Sequence, residues 1–299
     1  MSDRPRLSIV IVSWNVSRDL AVCLDSLRAN AEAGFEVTVV DNASHDDTLS
    51  MLQRYPEVRV IANAVNRGFA AANNQGLAVG KGEYLLMLNP DTVVPAGALS
   101  QLLAFADAHP EAGIVGPRLL NPDGTLQASC RRFPTVQAAI IRHTFLERLL
   151  PHAASTREYL MSEWDHQSPR EVDWVSGACM LIRRSAWEQV GALDEGFYWG
   201  SEDVDYCFRM HQAGWTVLYA PQPVITHAIG RSTTQVIVPT IIRTHRSMQR
   251  LYAKHLARSW LARVAVTAGV WLRAGLLIAA FHLANWRDNI KDPRRRRRA

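Results

Sequence analysis

The 299-residue chain has only four cysteines, Cys23, Cys130, Cys179 and Cys207, with no Cys-x-x-Cys pair and no metal-finger spacing. That excludes a disulfide framework and a zinc ribbon, and it suits reduced thiols in a cytosolic compartment. Internal repeats are lacking, and the only low-complexity segment is Arg294 to Arg298. No Gly-x-Gly-x-x-Gly follows the first apolar run, which disfavours a dinucleotide-binding dehydrogenase. The stretch there, VSWNVSRD, also lacks the glycine-rich basic loop that a nucleotidyltransferase needs. The opening MSDRPRLSIVIVSWN has a basic start, but its apolar run is far too short for a signal peptide and reads as a strand. An uninterrupted membrane-length run is lacking as well. Residues 260 to 286, WLARVAVTAGVWLRAGLLIAAFHLANW, have the length to span a bilayer, but Arg263 and Arg273 interrupt them. Acidic residues are scarce late in the chain. Residues 1 to 239 carry 19 Lys and Arg against 26 Asp and Glu, whereas residues 240 to 299 carry 14 against 2. An acidic body with a strongly basic end predicts a polyanionic partner, either an anionic membrane face or nucleic acid.

What is present is a globular composition, 48% hydrophobic and 20% charged. Short β-branched runs (Leu7–Val12, Glu36–Val40, Val58–Ile61, Tyr84–Leu88, Gly113–Val115) alternate with helical patterns (Asp19–Ala33, His45–Tyr55, Gly68–Gly80, Gly97–His109). Runs such as SIVIV and YLLMLN are apolar on both faces, as parallel strands covered by helices must be. The alternation predicts an α/β fold with a mostly parallel, doubly wound sheet. Ligands of such sheets bind beyond the carboxyl ends of the strands. Ser13 to Asn15, Asp41 to Ser44, Ala62 to Gly68 and Asn89 to Asp91 are therefore the candidates. Further on, a hairpin, a helical stretch near 135 to 150, strand-like residues 172 to 183, a helix near 202 to 213 and strands near 216 to 227 are expected. From about residue 240 the pattern is helical.

The string LNPD occurs twice. At 120 to 123 it continues Gly-Thr between apolar residues, which suits a type I turn at a hairpin tip. At 88 to 91 it follows the most apolar strand and no glycine follows, so Asp91 lies at the ligand edge. A carboxylate there can hold a divalent cation, Mg²⁺ or Mn²⁺, that also binds phosphates. Asn66, Arg67 and Gly68 precede a helix, where glycine permits close backbone approach and the helix start favours phosphate. Ser44 and Asp47 have the spacing of a capping box.

The ordered set VSWN, VVDNASHDDT, NRGFAAANNQG, LNPD, VSGACMLIRR and YWGSEDVDYCFRM, then Thr226-His227, resembles glycosyltransferase family 2, from Leu7 to about Ser232. The stretch RLLNPDGTLQASCRRFPT resembles the branch of rhamnosyltransferases that use dTDP-rhamnose. The resemblance implies a GT-A fold, an inverting transfer from a nucleotide-sugar donor, and a divalent cation. It gives Asp41 a role at the base or ribose, places Asn73 near the donor, and makes His227 a metal or diphosphate contact beside Asp91. Where relatives have Asp-x-Asp this chain has Asn89-Pro90-Asp91, so Asn89 can offer an amide oxygen but no charge. Ser13, Asn15 and Asn89 complete the expected donor side.

Inverting transfer needs a base for the acceptor hydroxyl. Ser201-Glu202-Asp203-Val204-Asp205 opens a helix with three acids. Asp205 has Arg209 four residues on as an ion-pair partner, and Asp203 matches the family's Glu-Asp motif, so Asp203 is the expected base. Trp174, Gly177, Trp199 and Glu202 form the expected acceptor side, with Arg131 and Arg132 facing an anionic acceptor. A catalytic domain at 1–239 and a basic, helical, membrane-associating region at 240–299 are expected. Trp260, Trp271 and Trp286 suit a peripheral position on the cytoplasmic face of the plasma membrane. That position implies a lipid-linked saccharide acceptor. It disfavours nucleic acid and leaves a homo-oligomer open. The competing readings are a family 2 transferase with another donor, such as a UDP-hexose, and a tethered nucleotide-sugar-binding protein without activity.

Overall fold

A computed structural model of the protein describes residues 5–135, 153–228, 237–257 and 259–291. The helix expected near 135 to 150 and the arginine run fall outside the described residues, apart from Thr135. Eleven strands are described: β1 (Leu7–Ser13), β2 (Phe35–Asp41), β3 (Val58–Ala62), β4 (Tyr84–Leu88), β5 (Thr92–Val93), β6 (Ala112–Leu120), β7 (Cys130–Arg131), β8 (Arg170–Glu171), β9 (Trp174–Val175), β10 (Cys179–Arg183) and β11 (Thr216–His227). Nine form one sheet in the order β3-β2-β1-β4-β10-β6-β11-β5, with β8 also on β11, while β7 and β9 make a small ribbon. β1, β2, β3, β4, β6 and β11 run one way, and β5, β8 and β10 are reversed.

Side-chain alternation along β1 and β4 feeds two cores. Leu7, Ile9, Ile11, Leu86 and Leu88 pack with Leu20 and Leu24 of α1 (Ser17–Arg28) and Leu99 and Leu102 of α4 (Ala98–Ala108). Val10, Val12, Leu85 and Met87 pack with Ala70, Ala72 and Leu77 of α3 (Phe69–Val79). This two-sided burial is why those strands read as unbroken apolar runs. A Cβ on Gly76 would come within 2.3 Å of Val10 Cγ1, so α3 sits flush on β1 only because residue 76 is glycine. Gly76 costs about 1 kcal/mol in helix propensity. Burying Leu77 alone, about 2 kcal/mol, offsets it.

Two local expectations are corrected. The helix expected over 45 to 55 is only α2 (Thr48–Leu52), and Ser44 and Asp47 form no capping box. Asp46 caps instead, accepting the Thr48 amide at 3.1 Å and the Ser17 amide at 3.0 Å, while the Ser44 hydroxyl accepts the Asn15 amide at 2.9 Å. The turn at 121 to 124 forms as expected. Gly124 (φ +84°) donates to the Asn121 carbonyl at 2.9 Å, and Leu120 bridges Leu126.

The helical end comprises Ile237–Leu251, continued by a π-helical turn at Tyr252–Leu256, and a second helix, Trp260–Lys291. The first helix docks on the body. The second lies along the first, with Trp271 Nε1 donating to Gln249 and Arg273 reaching His245 at 2.8 Å.

Candidate active site

The donor side is built from the loops after β1, β2 and β3. Asn15 and Ala43 adopt positive φ (53° and 65°), strain of the kind that gathers at functional sites. The Asn15 side-chain oxygen accepts the His45 amide at 2.7 Å, so the first two loops are latched together. Beneath the latch, Ser13 and Asp41 are register partners, buried at 0% and 1% exposure. The Ser13 hydroxyl and Asp41 Oδ1 have no hydrogen-bond partner among the described residues. Buried polar atoms are normally satisfied, so two orphans side by side at the carboxyl edge indicate a ligand that supplies N–H or O–H groups.

Asn66 and Gly68 are fixed by a side-chain amide network. Asn66 Oδ1 accepts from Asn42 Nδ2, the Gly68 amide and the Tyr198 hydroxyl, at 3.0, 3.0 and 2.9 Å. Gly68 (φ +86°) has no room for a side chain, because a Cβ would lie 2.7 Å from the Tyr198 carbonyl. That carbonyl accepts the first α3 amide, from Phe69. Arg67 is exposed beside this loop, and no ion pair involves it among the described residues. Asn73 is buried and donates to the Phe69 carbonyl, whereas Asn74 ties α3 to Leu193.

Asp91 precedes β5, and the antiparallel pairing of β5 with the end of β11 brings His227 to it. His227 Nε2 lies 3.2 Å from Asp91 Oδ1 and 3.2 Å from Asn89 Nδ2, with both Asp91 and His227 side chains under 10% exposed. Gln127, which the sequence reading did not single out, decides the imidazole's state. Its Nε2 faces two acceptors, the His227 carbonyl (3.2 Å) and Asn121 Oδ1 (2.9 Å), so its Oε1 must face His227 Nδ1, 2.7 Å away. Nδ1 therefore carries a hydrogen, and in the neutral imidazole Nε2 is the nitrogen with a lone pair, beside the Asp91 carboxylate. Asn89 Oδ1 is buried close by, without a hydrogen-bond partner among the described residues. A carboxylate, an imidazole lone pair and an orphaned amide oxygen fit a divalent cation that takes its other ligands from phosphate and water. Both LNPD copies thus serve this point, Asn89 and Asp91 directly and Asn121 through Gln127.

The facing wall carries Asp203. Gly200 and Ser201 are both left-handed (φ 78° and 68°) and turn the chain into the helix Glu202–Gln212. Asp203 Oδ2 accepts the Gly177 amide at 3.1 Å, and Oδ1 accepts the Val204 amide at 2.9 Å. Burial raises the Asp203 carboxyl above its ordinary range despite these bonds. Burial and the adjacent Asp203 push Glu202 up to about 8. Trp174 donates to the Arg132 carbonyl, and the Arg131 guanidinium lies over its ring at 5.5 Å. Trp199 meets Phe69 edge-on at 5.9 Å. Arg132 pairs with Asp173 at 3.0 Å. Asp205 accepts from Arg209 at 3.0 Å, as its spacing suggested, and is fully buried.

The sequence profile of glycosyl transferase family 2 matches residues 8–191. The protein belongs to glycosyltransferase family 2. It is 31% identical to the N-acetylglucosaminyl-diphospho-decaprenol L-rhamnosyltransferase of Mycobacterium tuberculosis, over 97% of this chain and 96% of that one. It is 25% identical to the rhamnosyltransferase WbbL of Escherichia coli K12, over 71% and 80% of the two chains. Among solved structures it resembles the mannosyltransferase PcManGT of Pyrobaculum calidifontis in complex with GDP-Man and Mn²⁺, with a TM-score of 0.57 at 18% identity, covering 98% and 83%. The fold is GT-A and the protein is a glycosyltransferase, as the motif order implied. In this family 2 enzyme the arginines of VSGACMLIRR are structural. Arg183 donates to the Ala106, His109 and Ala112 carbonyls, and Arg184 donates to those of Gly80 and Gly82. Gln127 and Tyr198 escaped the sequence reading because their partners lie 100 and 132 residues away.

Proposed function

We propose that this family 2 enzyme moves rhamnose from dTDP-rhamnose onto a lipid-linked saccharide with inversion, at the cytoplasmic face of the plasma membrane. The observation that carries the reading is the Asn89–Asp91–His227 cluster at the edge where Ser13 and Asp41 leave unpaired buried atoms. That arrangement suits a nucleoside diphosphate and its cation. Asp41 and Ser13 accept from and donate to the base or ribose, Asn15 supports the latch above them, and the exposed Arg67 side chain meets the phosphates, because the Gly68 and Phe69 amides expected there already donate to Asn66 and Tyr198. Asp91, His227 and Asn89 would hold Mg²⁺ or Mn²⁺, which neutralises charge on the departing diphosphate. Asp203, with its carboxyl raised by burial, takes the proton of the acceptor hydroxyl as that oxygen bonds to the anomeric carbon and the bond to phosphate breaks. The raised value brings the base nearer to neutral pH, where proton transfer is most effective. Trp199, half-buried, offers a face to the acceptor sugar, Gly177 orients the base, and Arg131 suits an anionic acceptor; Trp174, expected on the acceptor side, is instead buried in the core beneath Arg131. The rhamnose and lipid-linked assignments rest on the mycobacterial relative, whose similarity spans the helical end as well as the catalytic region.

Membrane association is supported by the helix Trp260–Lys291. Within Trp260–Leu283 its most apolar 18 residues have mean hydropathy 1.9, and only 11% of those are buried. Leu261, Val264, Leu272, Leu276 and Leu283 are exposed, while Arg273 turns to His245 and Arg263 to the Ala257 carbonyl. The bonds from Trp271 to Gln249 and from Arg273 to His245 hold the middle of this helix against Ile237–Leu251 and support a surface position over a spanning one. Substituting Leu272 and Leu276 by Glu should release the protein from anionic vesicles. A donor panel (dTDP-rhamnose, UDP-glucose, UDP-galactose, GDP-mannose) with membrane extract, with and without EDTA, tests the activity. EDTA-sensitive transfer from dTDP-rhamnose is expected. Transfer from another donor replaces the rhamnose assignment, and binding without transfer from any donor refutes the enzymatic reading of these residues.

A further inference from the structure

The segment Asp194 to Asp205 carries Tyr198, Trp199, Glu202 and Asp203, and both of its ends are acidic. From inside, it is held by the Tyr198 hydroxyl on Asn66 and the Tyr198 carbonyl on the α3 start. From outside, it is held by the helix Ile237–Leu251 and the π-helical turn after it. Arg250 grips Asp194 with two nitrogens, Nη2 at 2.8 Å and Nε at 3.2 Å. Residue 196 is glycine where Arg250 crosses, since a Cβ there would lie 2.2 Å from the guanidinium carbon. Lys254 Nζ lies 2.8 Å from Asp194 Oδ2 and 2.7 Å from Asp205 Oδ1. One ammonium therefore joins the two ends of the loop. His255 Nε2 is also 2.7 Å from Asp205 Oδ1, and the Arg243 guanidinium stacks over the Tyr198 ring at 4.3 Å. Burial opposes ionisation of Asp194, yet hydrogen bonds from Lys254 and Arg250 bring its carboxyl down to about 2.

We propose that Arg243, Arg250, Lys254 and His255 are positioning residues: the docked segment 237–257 is a brace that sets the Asp203 wall against the donor loop. Arg209 stays on Asp205 Oδ2, but withdrawal of Lys254 and His255 would leave the buried Oδ1 without either partner, so Asp205 favours the closed clamp. A small misplacement of a reacting group is costly in rate, so the clamp acts on turnover. The proposal rests on the reading of Asp203 as base, and it makes residues 1–239 incomplete as a catalytic unit. It also ties the membrane-facing helix to the site wall through one continuous element.

The test uses the full-length chain in the transfer assay, with Lys254→Ala, Lys254→Arg, Arg250→Lys and Arg243→Ala. Arg28→Ala, which breaks a surface pair with Glu57, serves as control. Lys254→Ala should lower kcat about tenfold to a hundredfold with donor KM little changed. Lys254→Arg should restore most of it, and Arg250→Lys should fall between. Arg243→Ala should instead raise donor KM, because Tyr198 supports Asn66. Wild-type kcat in folded Lys254→Ala, or equal losses in Arg28→Ala, overturns the brace. Hydrogen exchange over residues 194–205 reads the clamp without reference to activity. Faster exchange in Lys254→Ala or Arg250→Lys is expected, and unchanged exchange overturns it even if no donor is turned over by the wild type.

Discussion

Gln127→Ala tests the cation cluster through a residue that touches no substrate. The wild-type amide makes three bonds, accepting from His227 Nδ1 (2.7 Å) and donating to the His227 carbonyl (3.2 Å) and Asn121 Oδ1 (2.9 Å). Truncation frees the imidazole to rotate and to place its hydrogen on Nε2, where it would occupy the lone pair meant for the cation. Loss of such an outer partner typically costs about 10- to 100-fold in metal affinity. The unpaired buried groups cost about 1–3 kcal/mol, which lowers thermal stability as well. The assay is a Mn²⁺ titration of sugar transfer at fixed donor concentration. The half-activating concentration should rise by the same factor, about 10- to 100-fold, with turnover recovered at high Mn²⁺. Gln127→Glu keeps an acceptor for Nδ1 and should shift less. A half-activating concentration identical to wild type in Gln127→Ala would refute the tautomer argument and the cation site built on it.

Asp91→Ala should abolish transfer, whereas Asp123→Ala, which loses only the exposed turn bonds to Thr125, should leave kcat unchanged and cost less than about 1 kcal/mol by denaturant titration. Asp203→Asn should keep donor affinity by calorimetry and lose turnover. Because burial raises Asp203, the acid limb of the wild-type rate profile should lie above the ordinary aspartate range and vanish in that variant's residual activity. Glu202, raised from 4.5 to about 8, keeps its proton in the folded state at pH values where the unfolded chain has lost it. The contribution of Glu202 to stability should therefore fall as pH rises between about 4.5 and about 8, so Glu202→Gln should lose less stability than wild type over that range in melting curves.

The parallel strands were legible because burial on both faces leaves a local trace. LSIVIVS and YLLML are apolar at every position or nearly so, and both become central strands. The carboxyl edge followed from the alternation of strands and helices along the chain, so Asp41, Asn66 and Asp91 could be nominated from position alone. Errors arose where a distant partner overrode a local rule. Ser44 has capping-box spacing, but the Asn15 amide, 29 residues earlier, takes its hydroxyl. Gln127 lies past an ordinary turn, and nothing near it in the chain signals that His227 is its partner. The turn itself was legible and its purpose was not: by folding the chain back after β6 it delivers Gln127 to the imidazole.

The basic end shows the same gap between composition and address. Read as a total, the excess of residues 240 to 299 suggests a field for anionic lipid, on the order of 1 kcal/mol per Lys or Arg near the surface. Several of those charges face the protein instead. Arg243 covers Tyr198, Arg250 and Lys254 neutralise Asp194, Lys254 also meets Asp205, and Arg273 bonds His245. Each charge spent inward is removed from the attraction to lipid, so the electrostatic pull is weaker than the count implies. In the proposed surface position, contact with a bilayer would depend more on the apolar face of Trp260–Leu283, whose leucines are exposed. Salt should accordingly weaken vesicle binding less than substitution of Leu272 and Leu276 does, since burial of apolar surface is not screened by ions.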